Sequence, residues 1–278
     1  MIILDDIEKA KAAVAAMKAE GHTVGLVPTM GYLHEGHLSL IRMAKAECSA
    51  VVVSIFVNPT QFAPSEDYAA YPRDMESDVA KCASEGVDAI FAPDAATMYP
   101  EGFSTHIDVG RIAFVVEGAH RPGHFSGVAT VVAKLFNILA PGKAYFGQKD
   151  FQQTLVVKKL AADLNMPVEV VVGPTVREPD GLAMSSRNKY LSQEERAAAA
   201  MIYRALASAR SLREAGETRP DALAERARHS LAEEPLVRVE YVEVVDMQGD
   251  KVSRVSGPAA IAVAARVGHT RLIDNLVI

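Results

Sequence analysis

The chain has 278 residues, 49% of them apolar, and a formal net charge of −6. That is enough to bury a core in one large or two modest domains, and it argues against a basic nucleic-acid binder. The two cysteines, Cys48 and Cys82, form no CxxC pair. They read as small buried hydrophobes inside helices, in a reducing, cytoplasmic setting.

The N-terminal stretch carries Asp5, Asp6 and Glu8 without a basic leader, so it does not read as a signal peptide. No segment approaches the ~20 apolar residues of a membrane span. From there strand-like and helix-like runs alternate. Thr23 to Val27 is a short apolar strand, and His37 to Glu47 places Leu38, Ile41 and Ala44 at helical spacing. Ala50 to Val57 is a β-branched run of the kind covered on both faces. Arg73 to Glu85 reads as a helix closed by Gly86, and Asp88 to Ala92 as a strand. Ser126 to Leu139 reads as a helix capped by Ser126 and stopped at Pro141-Gly142. A strand at Ala144 to Phe146, a helix at Asp150 to Asn165 and a strand at Val168 to Val172 follow. This alternation predicts an α/β fold, a Rossmann-like doubly wound parallel sheet whose ligands sit at the carboxyl ends of the strands.

The pattern changes near Pro174. Ser192 to Gly216 reads as one long helix opened by a Ser192/Glu195 capping box, and a second helix follows Pro220. Val237 to Val245, Ala259 to Arg266 and Arg271 to Val277 read as half-exposed strands. The expectation is a domain over 1–174 and a small α+β domain over 175–278.

Three polar clusters stand out. Met30-Gly31-Tyr32-Leu33-His34-Glu35-Gly36-His37 joins a strand end to a helix start, where helix N–H groups and two imidazoles can meet one anion. Gly147-Gln148-Lys149-Asp150 also lies between a strand and a helix. Lys149 can neutralise phosphate, and Asp150 can cap the helix or accept from ribose hydroxyls. Met184-Ser185-Ser186-Arg187 follows a Pro-Asp-Gly turn, with hydroxyls and a guanidinium suited to phosphate oxygens. Each cluster taken alone also has a plain reading, as a capped helix or a polar linker. Gln61 follows a strand end where a substrate contact is expected. His124 is either a phosphate contact or a loop anchor, and Asn58 reads as a turn residue.

The segments PTMGYLHEGH, FVNPTQF, RPGHF, FGQKDFQQ, DGLAMSSRN and RLIDNLVI, in this order, resemble the pantothenate synthetase family along the chain from about Ile2 to Ile278. They also resemble the wider nucleotidyltransferase group, with His34-Glu35-Gly36-His37 as its HxGH signature and Met184 to Arg187 as its KMSKS-like loop. The resemblance implies a ligase that activates pantoate with ATP as an acyl-adenylate and joins it to β-alanine, releasing AMP and pyrophosphate. It implies that Met30 to His37, Gly147 to Asp150, Val176 and Met184 to Arg187 bind ATP. It further implies that His34, His37, Lys149 and Arg187 act in catalysis and that Gln61 and Gln153 grip pantoate. Mg2+ as a companion of ATP, a homodimer and a 175–278 domain acting as a lid are implied in the same way. Gln148 departs from the Glu that many members carry, and little effect is expected. Tyr32 and Phe151 also vary in the family. Two other readings stay open: a cytidylyl- or adenylyltransferase that consumes no amine, and a nucleotide sensor without turnover.

Overall fold

The computed structural model describes residues 1–64 and 66–278. By contact the chain forms two compact units. The first holds residues 1–114, 118–147 and 156–174; the second holds 115–117, 148–155 and 175–278.

In chain order the first unit begins with β1 (Ile2–Leu4), α1 (Ile7–Ala19), β2 (Val24–Thr29), α2 (Glu35–Glu47) and β3 (Ala50–Ile55). It continues through α3 (Met75–Ser84), β4 (Ala89–Phe91) and the single turns α4 (Ala95–Met98) and α5 (Glu117–His120). It ends with α6 (His124–Leu139), β5 (Lys143–Gly147), the later turns of α7 (Phe151–Asp163) and β6 (Glu169–Gly173). The six strands pair in the order β1-β4-β3-β2-β5-β6, and all are parallel. The strand called first from the sequence is therefore second. Ile2–Leu4 is too short and too exposed to announce itself as a sheet edge.

β3 shows why the sheet is doubly wound. All six of its residues are buried. Ala50 and Val52 face a core shared with α1, α6 and α7, while Val51, Val53 and Ile55 face one shared with α2 and α3. Alternate side chains point to opposite faces of a strand, so a continuous apolar run needs helices on both. Chain order reverses between β2, whose chain runs on to β3, and β5 on its other side. The carboxyl ends of β2 and β5 thus flank a topological switch point, where open α/β sheets open a crevice.

Two expectations are corrected here. The α6 helix opens at His124 behind Gly123, which adopts a left-handed φ of 82°, and Ser126 instead donates its hydroxyl to the Ile107 carbonyl at 2.9 Å. Cys48 lies just past α2 as its C-cap and not inside it; both cysteines are free and buried.

The second unit packs α8 (Gln193–Ala199), α9 (Met201–Glu214) and α10 (Pro220–Ala232) on an antiparallel sheet of β7 (Val237–Asp246), β8 (Ala259–Val267) and β9 (Thr270–Val277). The single helix expected over 192–216 is two, parted at Ala200, although the Ser192/Glu195 capping box forms as expected. The strands are not all half-exposed: every β8 residue but Arg266 is buried. One face of β8 meets the helices. The other, Ala260, Ala262 and Ala264, meets Val116 and Phe151 from the two short segments that join this unit from elsewhere in the chain. No helix among the described residues is long and apolar enough to cross a membrane.

Candidate active site

At the carboxyl end of β2, Thr29 donates to the Ser54 carbonyl and accepts from the Gly31 N–H, which starts a tight turn. Gly31 (φ 83°) and Tyr32 (φ 53°) are both left-handed; for Tyr32, with a side chain, that conformation must be held from outside. Asp78, reaching from α3 and only 1% exposed, holds it. Its two carboxylate oxygens accept from the N–H groups of Tyr32 (2.8 Å) and Leu33 (2.7 Å), and Lys81 ties down the Leu33 carbonyl at 2.7 Å. Burial pushes the Asp78 carboxyl above its ordinary range, against the pull of those two N–H groups. Nothing in the local sequence pattern marked Asp78.

The turn delivers His34 and His37 to the start of α2, where they form a capping box. His34 Nδ1 accepts from the Gly36 N–H at 3.2 Å, and His37 Nδ1 accepts from the His34 N–H at 3.3 Å. A backbone N–H can only donate, so each Nδ1 is the acceptor and each neutral ring carries its proton on Nε2. The rings lie 4.1 Å apart between centroids. The pair sets two imidazoles beside the positive end of a helix, an arrangement suited to an anion. At Gly36 a Cβ would sit 2.9 Å from His34 Cε1, so a side chain there would displace the ring that folds back as a cap. The Glu35 side chain turns to Arg42, which also binds Glu85.

Gln61 ends the 3-10 turn Pro59–Gln61 that follows β3, and it is buried. Its amide orientation is set by a chain of one-way donors and acceptors. Asn58 Oδ1 accepts from the Thr60 N–H and from Tyr99 Oη at 2.7 Å, while its Nδ2 donates to the Gly127 carbonyl. Asn58 Nδ2 consequently meets Gln61 Oε1 (3.1 Å), and Gln61 Nε2 faces the Met30 Sδ at 3.2 Å. A thioether is a weak acceptor that a ligand oxygen can outcompete. The open question of His124 is also answered. Arg121 donates to Nε2, Nδ1–H donates to the Gln61 carbonyl at 2.8 Å, and Arg121 grips Glu66 through two nitrogens. His124 anchors the Gln61 turn.

In the second unit Lys149 lies in the turn Gln148–Asp150 that opens α7, its ammonium 3.8 Å from Asp150. The adjacent glutamines of α7 divide. Gln152 is buried and bridges the Val115 carbonyl and the Glu117 N–H, whereas the half-buried Gln153 makes no side-chain hydrogen bond among the described residues. Val176 and Met184 are the open ends of a narrow hairpin, joined by Met184 N–H to Val176 C=O at 3.0 Å. Gly181 turns the hairpin with φ 96°, and a Cβ there would meet the Tyr203 ring at 2.1 Å. Ser185 caps the following turn by accepting from the Arg187 N–H. Ser186 is buried and Arg187 half-buried. Arg177, which no local sequence pattern marks, stacks on Tyr203 at 4.3 Å and grips Asp274 through two nitrogens.

A family model for pantoate–β-alanine ligase matches residues 2–277. The chain belongs to the pantoate–β-alanine ligase family. It is 54% identical over 279 residues to a pantothenate synthetase of Roseiflexus castenholzii, covering 100% of this chain and 99% of the relative. It is 54% identical over 280 residues to that of Carboxydothermus hydrogenoformans, with the same coverage. Among solved structures, a pantothenate synthetase of Thermus thermophilus is 47% identical with a TM-score of 0.94, each chain covered to 99%. A pantoate–β-alanine ligase of Francisella tularensis, solved with beta-gamma ATP and β-alanine, is 37% identical with a TM-score of 0.82 over 99% of this chain and 97% of the other. Family membership makes the chain an enzyme, a ligase that forms pantothenate. The Rossmann-like sheet with a smaller α+β part is the family's fold.

Proposed function

We propose that the chain activates pantoate as an acyl-adenylate and passes the acyl group to β-alanine. The carboxylate of pantoate attacks the α-phosphorus of ATP, forming one P–O bond as the bond to pyrophosphate breaks. The β-alanine amine then attacks the acyl carbon, loses a proton, and AMP leaves. The observation that carries this reading is the histidine capping box at the switch point, which sets two imidazoles at a helix N-terminus, an arrangement suited to an anion.

In this reading Met30 to His37, Gly147 to Asp150, Val176 and Met184 to Arg187 bind ATP. His34, His37, Lys149 and Arg187 neutralise the charge that moves onto the leaving pyrophosphate. Gln61, whose amide nitrogen faces a weak thioether acceptor, and Gln153, whose side chain makes no hydrogen bond among the described residues, take the hydroxyls and carboxylate of pantoate. Residues 1–174 serve as the ATP- and pantoate-binding domain, and 175–278 as a lid that keeps the adenylate from water. A cytoplasmic homodimer belongs to the same proposal. Mg2+ enters the same proposal as a companion of the ATP phosphates.

The test is isotope exchange. Labelled pyrophosphate should enter ATP when pantoate is present and β-alanine absent, and full turnover should give AMP and pyrophosphate in equal amounts with pantothenate. Stoichiometric ADP and orthophosphate would overturn the mechanism.

A further inference from the structure

The C-terminal segment RLIDNLVI contributes no residue to the chemistry above, yet two of its polar side chains are almost wholly buried: Asp274 is 4% exposed and Asn275 2%. Both lie on β9 within the second unit. Asn275 Nδ2 donates to the main-chain carbonyls of Gln148 and Lys149, both at 2.9 Å. Its Oδ1 accepts from Gln148 Nε2 at 3.1 Å. Two carbonyls can only accept, so the Asn275 amide has one possible orientation, and that orientation forces Gln148 to present its nitrogen. Asp274 works in the other direction. Its oxygens take two bonds from Arg177, at 2.6 and 3.0 Å, and one from the Asn275 N–H at 2.8 Å. Arg177 in turn donates to the Gly181 carbonyl at 3.0 Å and to the Asn275 carbonyl at 3.3 Å.

We infer that Asp274 and Asn275 are positioning residues for adenylation: β9 is a splint whose adjacent side chains set Lys149 on one side and the hairpin leading to Met184–Arg187 on the other. The inference rests on the proposed role of those two segments in holding ATP. The chemistry is specific to the residue types present. Only a primary amide can give two hydrogens to two carbonyls and still accept from Gln148. Aspartate at 275 would set a carboxylate against two carbonyl oxygens, and an apolar residue would take these donors from both carbonyls. The same network gives Gln148 a role of its own. In this chain its amide nitrogen is the donor that satisfies Asn275 Oδ1.

The test is a double-mutant cycle on the full-length enzyme, read as single-turnover adenylate formation from ATP and pantoate. Asn275→Asp should slow this step by ~10²-fold, the scale of a misplacement of about 1 Å. In a Lys149→Ala background, where the group being positioned is gone, the same change should cost no more than about 2-fold. Asn275→Ala is the companion: it removes both donors without adding a charge and should show the same loss of effect without Lys149, so the proposal stays testable if Asn275→Asp does not fold. Equal losses with and without Lys149, for whichever of these variants melts cooperatively, would reduce the segment to scaffolding and overturn the inference. If the unaltered enzyme shows no pantoate-dependent pyrophosphate exchange, the adenylation reading itself fails and takes this inference with it; normal exchange with additive losses removes the inference alone.

Discussion

Replacing Asp78 tests how the histidine turn is held. Asp78 spends both oxygens on the N–H groups of Tyr32 and Leu33, at 2.8 and 2.7 Å. Hydrogen bonds to a charged group contribute about 1.5–3 kcal/mol each. Their loss in Asp78→Ala leaves two interior N–H groups without acceptors and the left-handed Tyr32 without its brace. Against this, alanine removes a carboxylate whose burial already pushes it toward the neutral form, so the lower half of the sum applies, about 3 kcal/mol. A domain stable by about 5–15 kcal/mol survives that. Asp78→Asn keeps one acceptor but turns an NH2 toward the other donor, and should cost about half as much. Because the turn sets the start of α2, ATP affinity should fall by ~10-fold in Asp78→Ala, a misplacement smaller than that worth 10²-fold. Urea unfolding gives the stability change and calorimetric titration of ATP the affinity. A loss below about 0.5 kcal/mol, the ordinary scale of a surface substitution, with unchanged ATP affinity would refute the reasoning.

Gln61→Ala and Gln153→Ala should impair pantoate use more than ATP binding; an equal collapse of ATP affinity in calorimetry would count against their assignment to pantoate. His37→Ala and Lys149→Ala should slow single-turnover adenylation by ~10²–10³-fold while thermal stability changes little, and a near-normal rate would remove that residue from the catalytic set. Burial pushes the Glu66 carboxyl up, but the Arg121 pair outweighs it and holds the group below its ordinary range. Its contribution is thus complete above the unfolded value of about 4.3 and is lost as pH falls through the lower folded value. The difference in melting temperature between the unaltered chain and Glu66→Gln should therefore hold steady from neutral pH to about 5 and close in acid; a gap that widens in acid would contradict the pairing.

Much of the fold was legible because its signals are local. The uninterrupted apolar run of β3 announces a strand covered twice, and Ser192 with Glu195 announces a helix start, since both depend on neighbours a few residues away. The same holds for the candidate residues in outline: histidines and a lysine at strand-to-helix junctions, and serines after a Pro-Asp-Gly turn, could be picked out by type and position. Sequence periodicity could not supply the sheet order β1-β4-β3-β2-β5-β6 or the short edge strand β1, because lateral pairing joins segments far apart in the chain. It could not foresee that β8 is covered on its second face, because the cover comes from residues 115–117 and 148–155. Nor could it find the residues that hold the site in shape. Asp78 reaches back 45 residues to Leu33, and Asn275 reaches back 126 to Lys149. Each looks like an ordinary helix or strand residue until folding brings its side chain to a backbone group far away in the chain.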